Sequence, residues 1–113
     1  MPDRIRLCRA DEIGEGRARG FDLDGDGEDT LFVVRVGGRL SAWRNRCPHQ
    51  GAAMALRRDV YLNASGDRIV CYAHGAEFSP DSGVCLVGPC LGQSLQPATT
   101  EIDQDGALIA LNR

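Results

Sequence analysis

Several features that would place this chain in other classes are missing from its sequence. It has no lysine and only two histidines, and aromatic side chains make up 5% of its residues. No apolar run approaches the roughly 20 residues of a membrane-spanning helix, and residues 1–6 lack the apolar stretch of a secretory signal peptide. The sequence therefore predicts a cytoplasmic protein with no membrane contact, in which cysteine thiols stay reduced.

Charge is distributed unevenly along the 113 residues, whose formal net charge is −3. Residues 44–68 carry a local net charge of +3, and the remainder of the chain carries −6. A basic segment of this kind is either a solvated face or a docking surface for an acidic partner. Nucleic acid binding is not expected, because the chain is acidic overall and offers no platform of aromatic side chains for bases to stack on.

Short apolar alternations separated by turn residues predict an all-β fold. The pair Gly37-Gly38 is a strong signal for a two-residue hairpin. A second hairpin is predicted around residues 63–67, and a closing hairpin joins residues 98–102 to 107–112. Residues 11–16 predict a turn or a single helical turn, and residues 50–57 predict one short helix. The remaining strands are predicted at residues 5–9, 17–23, 30–36, 40–43, 59–62 and 68–72.

One acidic segment imitates a calcium loop. Asp22-Leu23-Asp24-Gly25-Asp26-Gly27 matches the first half of such a loop, but the twelfth position, where a bidentate glutamate is needed, is Val33. A strand-forming sequence follows instead of a helix. We therefore interpret the segment as an acidic hairpin turn.

Two short strings carry most of the chemical information. They are Cys47-Pro48-His49-Gln50-Gly51 and Cys71-Tyr72-Ala73-His74-Gly75, and they contain both histidines of the chain. Each string offers one thiolate and one imidazole from a tight loop that ends in glycine. Together they supply two sulfur and two nitrogen ligands for a metal centre.

This pair of loops, spaced C-x-H and C-x-x-H, closely resembles the site of the Rieske iron–sulfur family. The resemblance implies an antiparallel β-sandwich of Rieske type and one 2Fe–2S cluster, with Cys47 and Cys71 on one iron and His49 and His74 on the other. It also implies a single Rieske domain over residues 1–113, with a cluster-binding subdomain at about 46–80. A covering loop at about 86–92, which contains Gly88-Pro89, is expected to lie over the cluster.

Within the family, the site resembles the ferredoxins and the oxygenase domains of aromatic-ring hydroxylating systems. Rieske proteins of cytochrome bc complexes carry an extra cysteine in each loop, where this chain has Ala52 and Ala73. Those proteins also place a serine and a tyrosine after the second loop, where this chain has Ala76 and Phe78. Without these hydroxyl donors, a reduction potential near the lower end of the family range is expected. The 21 residues between His49 and Cys71 are somewhat more than is usual for such ferredoxins.

Zinc is the alternative metal, because two cysteines and two histidines also form tetrahedral zinc sites. The ligand spacing and the Gly-Pro loop fit the Rieske site better. Of the other thiols, Cys8 and Cys85 are expected in the core, while Cys90 follows the Gly-Pro of the covering loop and is harder to place. A bond between Cys85 and Cys90 is allowed by spacing but not expected in a reducing compartment.

The function that follows is one-electron transfer by a soluble, monomeric carrier, and not catalysis. A terminal oxygenase also needs a mononuclear iron held by two histidines and a carboxylate, and no histidine remains to build it. The resemblance implies a flavin-dependent reductase as electron donor and a terminal oxygenase as acceptor. The alternative is a small Rieske subunit or redox sensor within a larger oxidoreductase complex.

Overall fold

The computed structural model describes residues 4–48, 53–55, 57–73 and 75–111. Within these ranges the chain forms nine strands and a single short 3-10 helix at Ala10–Glu12. The strands are β1 (Ile5–Arg9), β2 (Arg17–Phe21), β3 (Leu31–Val36), β4 (Arg39–Arg44), β5 (Ile69–Cys71), β6 (Ala76–Phe78), β7 (Cys85–Val87), β8 (Thr100–Ile102) and β9 (Ala107–Ala110).

The strands build three antiparallel sheets of three strands each. Their orders are β1-β9-β8, β2-β3-β4 and β5-β6-β7. Sheets β1-β9-β8 and β2-β3-β4 pack around one buried core, and sheets β2-β3-β4 and β5-β6-β7 pack around another. The prediction of an all-β antiparallel fold is confirmed.

Strand β3 lies between the two cores. Its residues 31–34 are all fully buried, and they alternate between the two sides, as the period of two in a strand requires. Leu31 and Val33 pack in the core around β1 and β9, whereas Phe32 and Val34 pack in the core that contains Cys47 and Cys71. The continuous apolar run in this strand is therefore explained by burial of both of its faces.

The hairpin at Gly37-Gly38 joins β3 to β4 as predicted. Both glycines have positive φ, 63° and 77°, as a two-residue turn of this hand requires. The carboxylate of Glu15 accepts the N–H groups of both glycines at 2.7 Å. The closing hairpin of β8 and β9 and the helical turn after β1 are also confirmed.

Two local predictions were wrong. Residues 59–62 form no strand, and only Leu62 makes a β-bridge, with Ile69. Asp59 has a φ of 63°, which ends extended structure there, and its carboxylate accepts the Gly20 N–H at 2.8 Å. Within the predicted helix 50–57, residues 53–55 and 57 are not helical, and the others lie outside the described residues.

The acidic segment forms a turn that bonds to itself. The Asp22 carboxylate accepts N–H groups from Gly25 and Gly27 at 2.8 Å and from Asp26 at 3.3 Å. These bonds hold the pKa of Asp22 below its usual value, and the bond from Gly27 has the largest effect. The segment therefore forms the acidic turn that the sequence predicts.

Candidate metal centre

The two predicted cysteine ligands lie in the same core. Cys47 follows β4 and Cys71 ends β5, and both side chains have 0% exposure. They share this core with Met54, Ala76 and Cys90. The sequence separates the two cysteines by more than twenty positions, and the fold brings both into one buried core.

Three predicted positions lie outside the described residues. They are the two histidines, His49 and His74, and Ala52. The assignment of the four ligands therefore stays a prediction, of which the structure describes the two thiols. Neither cysteine forms a disulfide bond.

The first loop is closed by the side chain of Asn45. Its amide oxygen accepts the Met54 N–H at 2.8 Å, and its amide nitrogen donates to the Asp29 carbonyl at 2.9 Å. The backbone N–H of Asn45 donates to the Thr30 carbonyl at 3.1 Å. One residue thus joins the two ends of the Cys47 loop to each other and to the start of β3.

Replacing Asn45 with alanine should loosen this loop. The loss of two hydrogen bonds from a half-buried site is expected to lower the free energy of unfolding by about 1–3 kcal/mol, and iron should leave the protein faster in the presence of a chelator. The matched control is Asn63→Ala, because Asn63 closes the 63–68 turn with the same kind of side-chain bonds. Equal rates of iron loss in the two variants would contradict this role for Asn45.

The second loop is a tight turn that is tied to the first. Gly75 donates its N–H to the Cys71 carbonyl at 2.7 Å and has a φ of 74°. The Tyr72 N–H donates to the Met54 carbonyl at 2.8 Å, which links the two loops directly. The Tyr72 hydroxyl donates to the Leu62 carbonyl. The two cysteine loops therefore support one another through backbone bonds.

The Gly-Pro segment packs tightly against the second loop. A Cβ atom placed on Gly88 would lie 2.8 Å from the Cα of Ala76, and Gly88 has a φ of 111°. Only glycine fits there without strain. Two positions later, Cys90 is fully buried in the core that also contains Cys47. This part of the predicted covering loop thus lies beside both cysteine loops.

The thiol of Cys90 also contacts Cys85. It donates a hydrogen bond to the Cys85 sulfur, with the two Sγ atoms 3.0 Å apart. Burial, followed by this bond, raises the pKa of Cys90 to about 12. The core positions expected for Cys8 and Cys85 are confirmed, since both are 3% exposed.

The basic segment faces the acidic turn. Two adjoining cavities, of about 430 and 390 Å³, are lined by residues of both segments. Four guanidinium groups and five carboxylates line them together: Arg44, Arg46, Arg57 and Arg58, and Asp22, Asp24, Asp26, Glu28 and Asp29. The basic segment and the acidic turn, which are separate in the sequence, therefore lie around the same cavities.

The described donors fit an iron–sulfur centre. Cysteine thiolates are the ligands that iron–sulfur clusters use, and the two buried thiols lie on loops that hydrogen bonds hold in place. A cavity of about 250 Å³ opens beside Cys47 and Pro48. The thiols alone do not distinguish iron from zinc, because both metals bind cysteine.

The matching family model defines the class of this protein. The chain belongs to the Rieske [2Fe-2S] domain family, whose model matches residues 3–108. The predicted family is confirmed, and with it the prediction of a Rieske-type 2Fe–2S cofactor.

Particular relatives are similar over most of the chain. The ferredoxin component of the alkene monooxygenase system of Xanthobacter autotrophicus is 29% identical over 79 residues, 70% of this chain. The terminal oxygenase component CarAa of carbazole 1,9a-dioxygenase from a Sphingomonas species is 34% identical over 79 residues, also 70% of this chain. These matches span 59% and 19% of the relatives' own lengths.

A solved structure confirms the fold. A chain in the complex of reduced oxygenase and oxidised ferredoxin of carbazole 1,9a-dioxygenase superimposes with a TM-score of 0.73. The match has 24% identity and covers 97% of this chain and 94% of that chain. In the described ranges, no helix has the length and apolarity that crossing a membrane requires.

Proposed function

We propose that this chain is a one-electron carrier of the ferredoxin type, without catalytic activity of its own. Cys47 and Cys71 hold one iron of a 2Fe–2S cluster, and His49 and His74 hold the other. The cluster-binding subdomain spans about 46–80 within a single domain, and the covering loop spans about 86–92. The bound cluster supplies a site that gains and loses one electron.

The observation that carries the proposal is the burial of Cys47 and Cys71 together in one core of a Rieske-family chain. The chain's own contribution is to exclude water from the thiols and to hold the loops rigid. Asn45 closes the first loop, the Gly75 N–H closes the second, and Gly88 packs against the second. A rigid, dry site suits electron transfer because little has to rearrange when the charge changes.

Metal content tests the cluster directly. The protein, purified without air, should be red-brown and contain two irons and two sulfides per chain, as a Rieske cluster requires. Iron, acid-labile sulfide and zinc are measured on the same sample, before and after anaerobic reconstitution. A colourless protein that holds one tightly bound zinc after reconstitution would rule out the cluster.

The proposed partners are a flavin-dependent reductase as donor and a terminal oxygenase as acceptor. One relative is named a ferredoxin component of a monooxygenase system, and the solved complex contains an oxygenase and a ferredoxin. The chain has two histidines in total, both proposed as cluster ligands, so a mononuclear iron site of two histidines and a carboxylate is not expected. The proposal includes a monomeric state and a cytoplasmic location for this carrier.

A second candidate is a subunit of a larger oxidoreductase. The carbazole dioxygenase oxygenase component favours this candidate, because this chain matches a region that makes up only 19% of its length. A domain of this kind therefore occurs inside larger chains. Gel filtration of the protein isolated from its source separates the two. A carrier elutes as a free monomer, whereas a subunit elutes in a stable complex. In an assay with its partners, a carrier is also reduced and reoxidised over many turnovers.

Charge reversal tests docking to an acidic partner. Arg57→Glu should slow electron transfer to that partner several-fold at low salt, and the difference should vanish at high salt, because salt screens exposed charges. The nearby carboxylates limit the effect. The matched control is Arg39→Glu, which makes the same change of charge outside the basic segment. Arg39 lies at the turn of the β3–β4 hairpin, whereas Arg44 of the basic segment lies at its other end. Equal rates for both variants would make residues 44–68 a solvated face.

A further inference from the structure

Two cysteines outside the proposed ligand set lie against each other. The Sγ atoms of Cys85 and Cys90 are 3.0 Å apart, and the side chains are 3% and 0% exposed. The Cys85 thiol also lies 3.3 Å from the Val87 carbonyl, to which it donates a hydrogen bond. Since a disulfide bond is about 2.05 Å long, the two sulfurs need to approach by about 1 Å to form one.

The backbone brings these sulfurs together. The Cys85 N–H donates to the Gln93 carbonyl at 2.8 Å, and the Gln93 N–H donates to the Cys90 carbonyl at 2.9 Å. Gln93 therefore anchors both cysteines. The β-bridge between Val84 and Ser94 extends the same pairing. The backbone reverses direction between Cys85 and Gln93, and the hydrogen bonds of this reversal hold the two cysteines close together.

We propose that Cys85 and Cys90 are a reversible disulfide site that reacts with low-molecular-weight disulfides and staples the covering loop. One cysteine thiolate attacks the small disulfide, breaks its S–S bond and releases one small thiol. The other cysteine attacks the resulting mixed disulfide, forms the Cys85–Cys90 bond and releases the second small thiol. Two electrons pass to the small disulfide, and the two cysteine protons end on the released thiols.

The bond would act where the covering loop meets the site. It closes a ring over residues 85–90, which includes Gly88 in its tight contact with Ala76. Cys90 shares its core with Cys47, so the ring holds the loop in the core of a proposed ligand. The neighbouring Leu91 is 65% exposed, which gives a small reagent a short path once the loop opens. We expect the stapled loop to open less often and to slow the loss of iron.

The test uses protein that carries its cluster, equilibrated without air in buffers with increasing ratios of oxidised to reduced glutathione. Free thiols are then trapped by alkylation, and bonded cysteines are mapped by mass spectrometry. The mass should fall by two hydrogen atoms with no glutathione attached, the bond should join Cys85 to Cys90, and dithiothreitol should reverse it. Iron release to a chelator should then be several-fold slower than from the reduced protein.

Variants provide the controls. Cys85→Ser and Cys90→Ser should not lose the two hydrogen atoms, whereas Cys8→Ser, at a buried cysteine of the other core, should still form the bond. Mapping on the unsubstituted protein does not depend on the folding of any variant. A bond from Cys90 to Cys47, or reduced thiols at the most oxidising ratio, overturns the proposal. Unchanged iron release from the bonded form refutes the stapling of the loop.

Discussion

Serine at position 47 or 71 is expected to abolish the iron–sulfur cluster. A serine hydroxyl is a much poorer iron ligand than a thiolate, and each cysteine is proposed to supply half of the protein ligands of one iron. Both side chains are fully buried. Iron and sulfide should fall to a small fraction of the parent values, with loss of the visible absorption and of the electron paramagnetic resonance signal of the reduced protein.

The matched control is Cys8→Ser. Cys8 is also buried but lies in the core around β1 and β9. Its replacement places a hydroxyl in an apolar environment at a comparable cost in stability, yet the cluster should remain at full occupancy. If Cys8→Ser lost the cluster as completely as Cys47→Ser, cluster loss would reflect general destabilisation and not ligation.

The second large effect concerns the reduction potential, which is expected near the lower end of the family range of roughly −150 to +300 mV. Ala76 and Phe78 are buried on one side of β6 and offer no hydroxyl donors, while Glu77 between them pairs with Arg68. Donors to the cluster sulfurs stabilise the more negative reduced state and so raise the potential. Ala76→Ser and Phe78→Tyr should therefore each raise it.

The size of the rise follows from hydrogen-bond energies. A hydrogen bond to a charged group contributes about 1.5–3 kcal/mol, and only the part that favours the reduced state appears in the potential. A tenfold change in the equilibrium corresponds to about 59 mV for one electron, so tens of millivolts per hydroxyl are expected. The two shifts should add if the hydroxyls reach different sulfurs.

Protein-film voltammetry of the parent and both variants measures these shifts. Tyr61→Phe is the control, because that hydroxyl donates to the Asp29 carboxylate at 2.5 Å, and its removal should leave the potential unchanged. A parent midpoint well above about +100 mV, in the upper part of the family range, would contradict the comparison with the ring-hydroxylating ferredoxins. It would point instead to the respiratory Rieske proteins.

Short sequence patterns predicted most of the strands, because side-chain alternation and turn residues are properties of neighbouring positions. The glycines of the β3–β4 turn adopt the positive φ values that their sequence suggested. The prediction failed at residues 59–62, where the Asp59 carboxylate bonds to the Gly20 N–H and holds a left-handed backbone. Because this contact joins positions 39 residues apart, the sequence around residue 59 carries no sign of it, and its apolar alternation alone predicts a strand.

The amino-acid sequence by itself determined the family and the proposed ligands. The spacing of Cys47, His49, Cys71 and His74 is a property of two short segments, and the family match agrees with it. The acidic turn and the basic segment are separate in the sequence, whereas in the structure they line the same cavities. Distance along a sequence does not measure distance in space, and electrostatic interactions depend on the latter.

Only the tertiary structure decided how the site is supported. The closure of the first loop by Asn45, the contact of Gly88 with Ala76 and the meeting of Cys85 with Cys90 are contacts that only the folded chain makes. The spacing of Cys85 and Cys90 allowed a bond, but their hydrogen bonds to Gln93 are what bring the two sulfurs to 3.0 Å. The residue types in the sequence predict the ligands, whereas burial of both cysteine loops in one core arises only when distant segments pack together.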